Sequence, residues 1–357
     1  MLMNTVDLGE YIFEGKSHFT KSFLHVLKSS SRFEGFVECY RDKIRKKIRA
    51  TNYDNDTVKD VLAEIEWAYL LLQVDRFSRV EYESYGTKEQ NPDLTVTDVQ
   101  SGFVFNIESK RIRCTDLEWR FEAWKQRLAR QVIAIPSKLA FSMDIDSFDT
   151  AAELVDRLEA KTEDVVSYIT ETVIALTDEI PPGSEKSYFV PGFEGVFEFK
   201  LRTPPRKASS DYTSYYGGSF PIFYTHKEYM KFGDEICDPK HLGQMRPDMV
   251  NILAISTDSN THDSLDLGEA VANLAELAAQ HSDDFFVKKG FEGGSADFAI
   301  QLERLSGILF RSLWGPIDRA PNILWCNNKA KCLIPKDIGS ILQVMDYPES
   351  TNPFKAF

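Results

Sequence analysis

Two alternating stretches, "PDLTVTDV" (92–99) and "FVFNIESKRI" (103–112), lie three residues apart. Each alternates apolar and polar residues as a half-buried strand does. "DVQSG" between them has turn composition, with Gly102 where a positive φ is easily adopted. Paired as a hairpin centred near residues 99–101, the two strands bring Asp93 opposite Glu108.

Side chains alternate between the faces of a strand. Phe103, Phe105 and Ile107 therefore point one way, and Val104, Asn106, Glu108 and Lys110 the other. Glu108 and Lys110 stand about 7 Å apart on one face. Two carboxylates as close as Asp93 and Glu108 stay ionised together only if a cation compensates them. Hard oxygen ligands select Mg2+ or Mn2+, ions that keep waters and accept a phosphate oxygen. An ammonium beside such an ion can position a water or stabilise developing negative charge. This is chemistry for phosphodiester hydrolysis.

The surroundings have a definite order. "NDTVKDVLAEIEWAYLLLQ" (55–73) carries apolar residues at helical spacing, with Asp56 or Thr57 as its cap, and "SRVEYESYG" alternates as a strand. The hairpin follows, then a second helix, "TDLEWRFEAWKQRLARQVIAI" (115–135). A helix acid, Pro-Asp, Glu-x-Lys and a further helix, over residues 55–135, resemble the PD-(D/E)XK nuclease superfamily. The resemblance implies a metal site of Asp93, Glu108 and Lys110, with Asp93 and Glu108 as the metal ligands. It adds a helix glutamate, either Glu64 or Glu66; the superfamily's usual spacing of this acid, two apolar positions and the helix end, matched by Glu64, Ala68, Leu71 and Asp75, implies Glu64. Since i and i+2 face apart on a helix, only one of them can point at the site. "ESKRIR" and the helix bearing Gln126 and Gln131 also resemble bacterial nuclease subunits of this class.

The chain contains two decoys. "FEFK" supplies Glu198 and Lys200, and "RPDM" supplies Asp248, but their order is reversed. Cys237-x-x-x-His241 has no second ligand pair at zinc spacing and reads as loop structure. "GFEGG" lacks the Lys-Ser/Thr of a phosphate loop and reads as a turn. "YTSYYGG" reads as a loop, with base stacking as the alternative.

Of 357 residues, 43% are apolar and 27% charged, which suits a globular chain with a sizeable core. The net charge of −13 argues against bulk electrostatic coating of nucleic acid. Contact then needs local positive charge, for which Lys110, Arg111, Arg113, Lys125, Arg127 and Arg130 are candidates, or a loading partner. The basic run "YRDKIRKKIRA" (40–50) reads as a solvated helix surface or a phosphate patch. Five scattered cysteines suit reduced thiols, and no signal-like or membrane-spanning run is evident, so a cytoplasmic location is expected.

The expected fold is α/β, with a restriction-endonuclease-like mixed central sheet flanked by helices. Residues 1–54 form a helical N-terminal segment and 55–140 the nuclease core. Residues 141–245 form a helical and hairpin insertion, and 246–357 a C-terminal α/β segment that completes the sheet. The expected function is a Mg2+- or Mn2+-dependent endonuclease acting on DNA. The resemblance implies a bacterial antiviral-defence setting, with a protein partner such as an ATPase or helicase. The alternatives are an inactive nuclease-fold binding or regulatory subunit, and an interaction subunit that meets no nucleic acid.

Overall fold

The computed structural model describes residues 3–17, 19–83, 91–113, 116–145, 151–177, 179–203, 213–215, 228–257, 264–312 and 322–346. It divides into two units, residues 1–113 with 226–357, and residues 114–225.

In the first unit the chain opens with α1 (Thr5–Phe13), α2 (Thr20–Ser29), α3 (Ser31–Ala50) and α4 (Asn55–Leu72). Asp54 caps α4 by accepting from the Thr57 amide, two positions before the nearer expected cap, Asp56. An aspartate there satisfies an end amide and meets the positive end of the helix dipole. Strands β1 (Arg79–Tyr82), β2 (Leu94–Thr97) and β3 (Val104–Ile112) then form an antiparallel meander. Leu94 faces Ile107 and Thr97 faces Val104, the register that brings Asp93 to Glu108.

The second unit holds α5 (Asp116–Ile133), β4 (Ala140–Ile145), α6 (Ala151–Ala160) and α7 (Thr162–Leu176), followed by β5 (Glu185–Phe189), β6 (Phe197–Arg202) and β7 (Ser214–Tyr215). Its four strands run in the order β5-β6-β4-β7. The β5–β6 pair is the hairpin expected around "KSYFVPGFEGVFEFKLRTP". This unit starts before the insertion expected at 141–245. The reason is that α5 buries Phe121, Trp124, Leu128 and Val132 in the core shared with β4, α6 and β6. The helix placed with the nuclease core on sequence thus belongs to the second unit.

The chain re-enters the first unit at α8 (Glu228–Ile236) and α9 (Pro239–Gln244). It continues through β8 (Val250–Thr257), α10 (Ser264–Ala279), α11 (Asp283–Lys288), α12 (Gly294–Leu302), β9 (Gly307–Ser312), β10 (Ile323–Cys326) and α13 (Lys336–Val344). β8 pairs parallel with β3, β9 parallel with β8, and β10 antiparallel with β9. The result is one mixed six-stranded sheet, β1-β2-β3-β8-β9-β10. All eight residues of β8 are buried, as a central strand covered on both faces requires. Phe105, Ile107, Ile252 and Ala254 pack with α1–α4 and α13; Ile112, Leu253, Ile255 and Phe310 pack with α8–α12. The protein is therefore α/β, with a mixed sheet flanked by helices.

A buried polar rung crosses this sheet. Thr95 donates to Asn106 Oδ1 (3.0 Å), Asn106 donates to Asn251 Oδ1 (3.1 Å), and Asn251 Nδ2 donates to the Arg246, Met249 and Arg304 carbonyls at 2.7–3.0 Å. At the β2–β3 turn, the fully buried Asp98 accepts from the Arg76 guanidinium, the Ser101 hydroxyl and the Gln100 amide. No helix among the described residues is long and apolar enough to cross a membrane.

Candidate functional site

Asp93 sits just ahead of β2, and its Oδ2 accepts the Ser109 amide of β3 at 2.8 Å. That bond ties the Pro-Asp segment to the Glu-x-Lys strand. Glu108 is 4% exposed, and Lys110 Nζ lies 2.9 Å from its Oε1. In the amide orientation that satisfies both groups, Gln244 at the end of α9 donates to Glu108 Oε1 at 2.6 Å. Glu64 is the α4 acid turned to the site: its Oε2 accepts from the Tyr82 hydroxyl at 2.6 Å and from Lys47 Nζ at 2.7 Å. Glu66 is buried elsewhere on the helix.

Three further groups were invisible to motif reading. Lys47 comes from the basic run of α3, yet its Nζ lies 2.6 Å from Glu83 Oε1 and 3.5 Å from Asp93 Oδ1. It also stands 5.1 Å from the centroid of the Tyr82 ring. Glu83 adopts φ 44°, a left-handed conformation that costs a glutamate roughly 1–3 kcal/mol. Its amide donates to the Asp93 carbonyl at 2.9 Å. Gln244 is the third.

The electrostatics follow from crowding. Burial, then the Asp93 charge, raise Glu108 to about 8 against the pull of Lys110. Burial and Asp93 likewise raise Glu64 to about 7 against the pull of Lys47. Burial lowers both lysines, but the carboxylates outweigh it and leave both above the ordinary lysine value. The acids are under-compensated, and a divalent cation would relieve them. Asp93 and Glu108 offer hard oxygens, the donor type of Mg2+ and Mn2+, so the residues present fit such an ion. Among the described residues no group of three His, Cys, Asp or Glu side chains is gathered tightly enough to hold a metal by itself.

The positive charge expected beside the motif is largely committed. Arg111 donates to Asp60 Oδ1 (2.8 Å) and the Asp56 carbonyl, and Arg113 also bonds Asp60. Lys125 pairs with Glu122, and Arg127 donates to the Thr162 hydroxyl at 2.8 Å. In the α3 run, Arg41 pairs with Glu38, Arg45 with Glu14, and Lys43 donates to the Tyr82 and Glu83 carbonyls. Of the decoys, Glu198 and Lys200 lie in the second unit, where Lys200 pairs with Asp144 at 2.6 Å, and Asp248 lies in the first, paired with Arg246 at 2.9 Å. Cys237 is buried, and burial pushes its thiol up to about 12; His241 Nδ1 lies 3.1 Å from the Glu235 carbonyl. Most of "YTSYYGG" lies outside the described residues.

The chain matches no protein-family model, no curated protein and no solved structure.

Proposed function

We propose that this chain is a metal-dependent nuclease with a restriction-endonuclease-like fold, hydrolysing phosphodiester bonds as a DNA endonuclease. The observation that carries the reading is the meeting of Asp93 with the Glu108–Lys110 strand, through the Ser109 amide and the β2–β3 register. Asp93 and Glu108 would hold Mg2+ or Mn2+, which when bound acidifies a water and draws charge from a phosphate oxygen. Gln244 orients Glu108 through its amide. Lys110 holds the attacking water or meets negative charge building on the phosphate. Glu64, with its carboxyl near neutrality, is suited to exchanging a proton with that water. The committed arginines and the net charge of −13 favour a partner, such as an ATPase or helicase, that loads the DNA. A bacterial defence system is the setting proposed for that pair.

A second reading, an inactive nuclease-fold binding or regulatory subunit, is favoured by Lys47, a built-in cation among the acids. Nicking of supercoiled plasmid in Mg2+ or Mn2+ separates the two. The enzyme reading expects nicking by wild type and its loss in Asp93→Ala and Lys110→Ala. If the wild type does not cut, and no metal binding depends on Asp93, the regulatory reading stands.

A further inference from the structure

We propose that the Lys47 ammonium fills the place that a second divalent cation would take among four acids, so that the site binds one metal ion. This rests on the nuclease reading, because it specifies how many ions that site binds.

Lys47 lies on α3 one turn after Ile44 and next to Ile48, both fully buried, so its side chain leaves the helix at the border of the packed face. The side chain is 27% exposed. An ammonium has three N–H donors, and three carboxylates face this one: Glu83 at 2.6 Å, Glu64 at 2.7 Å and Asp93 at 3.5 Å. The Tyr82 ring centroid lies 5.1 Å from the ammonium, and its hydroxyl holds Glu64 in place. Glu83 has a left-handed backbone, and its amide is anchored on the Asp93 carbonyl. A surface lysine needs none of this; a fixed cation position does.

The charge count leads to the same conclusion. Fully ionised, as a bound cation would leave them, Glu64, Glu83, Asp93 and Glu108 carry four negative charges against the two positive ones of Lys47 and Lys110. The remaining −2 is what one divalent ion neutralises, and a second would overshoot. Asp93 divides the work, with Oδ1 toward Lys47 and Oδ2 on the Ser109 amide beside Glu108. Lys47 thus takes the Glu64–Glu83 side and leaves the Glu108 side to the metal.

The test is titration of the full chain with Mn2+, read by calorimetry and by the electron paramagnetic resonance signal of free Mn2+. Wild type and Lys47→Arg are expected to bind one ion, Lys47→Met two, and Asp93→Ala none at this site. If Lys47→Met keeps its circular dichroism spectrum yet binds one ion with affinity within about threefold of wild type, Lys47 holds no cation position and the proposal is overturned while the nuclease reading survives. If neither wild type nor Lys47→Met binds an ion that Asp93→Ala removes, the nuclease reading falls and takes this one with it. Should wild type bind none and Lys47→Met one, Lys47 occupies the sole metal position, which also overturns the proposal. Lys47→Gln carries the same expectation as Lys47→Met and replaces it if the methionine variant does not fold.

Discussion

Replacing Glu64 by glutamine is expected to stabilise the metal-free protein at alkaline pH. Burial and the neighbouring Asp93 raise this carboxyl from 4.5 to about 7. An acid whose value is higher in the folded state favours folding while it is protonated. That contribution is complete below about pH 4.5 and is lost as pH rises through 7. At about 1.4 kcal/mol per tenfold change, the ionised carboxylate costs the native state about 3 kcal/mol by pH 8.5. Glutamine removes that cost and still accepts from the Tyr82 hydroxyl, but it weakens the attraction to Lys47, leaving a net gain of about 2 kcal/mol. For a unit of this size, about 2 kcal/mol is roughly 5 °C in Tm. Thermal unfolding in EDTA at pH 8.5 measures it, and at pH 5 the gain should shrink below about 1 kcal/mol. A Glu64→Gln variant less stable than wild type at pH 8.5 would refute the crowding argument.

Asp98→Ala should destabilise by about 1–3 kcal/mol in urea unfolding, because it removes the buried acceptor of the Ser101 hydroxyl, the Gln100 amide and the Arg76 guanidinium, the last of which keeps Asp337. In the second unit, Trp124→Ala should cost about 3–5 kcal/mol by the same measurement, since Trp124 is 2% exposed and packs edge-on against Phe197.

The hairpin register was legible because alternation and a short turn determine it together: a slip of one residue would turn Glu108 and Lys110 to the face that Phe105 and Ile107 now fill, and turn those two away from the core. Helical spacing allows only one of Glu64 and Glu66 to face the site, and the resemblance to the superfamily's acid-to-helix-end spacing points to Glu64. Lys47 could not be found this way. Its neighbours in sequence are basic, and its role comes from Glu83 and Asp93, which reach it only once α3, α4 and the hairpin have packed. Gln244 is more distant still, since α9 meets β3 only through tertiary packing. Arg111 and Arg113 looked like free charge beside the motif because their partner, Asp60, lies on a helix some fifty residues earlier. The extent of the second unit was hidden for a similar reason, since amphipathic α5 carries no mark of which core its apolar face joins.

The parallel pairing of β3 with β8 has a consequence for synthesis. Ile112 and Thr257, which end that ladder, are 145 residues apart. At about 5–20 residues per second, the growing chain presents β3 as an open sheet edge for roughly 7–30 s before β8 exists. Over that interval the second unit is made in full, while Glu108 and Lys110 wait on a strand with one neighbour. Charged side chains on an open edge discourage pairing with other chains. The acids and lysine of the site are therefore in a position to guard the nascent sheet before they have any substrate to meet.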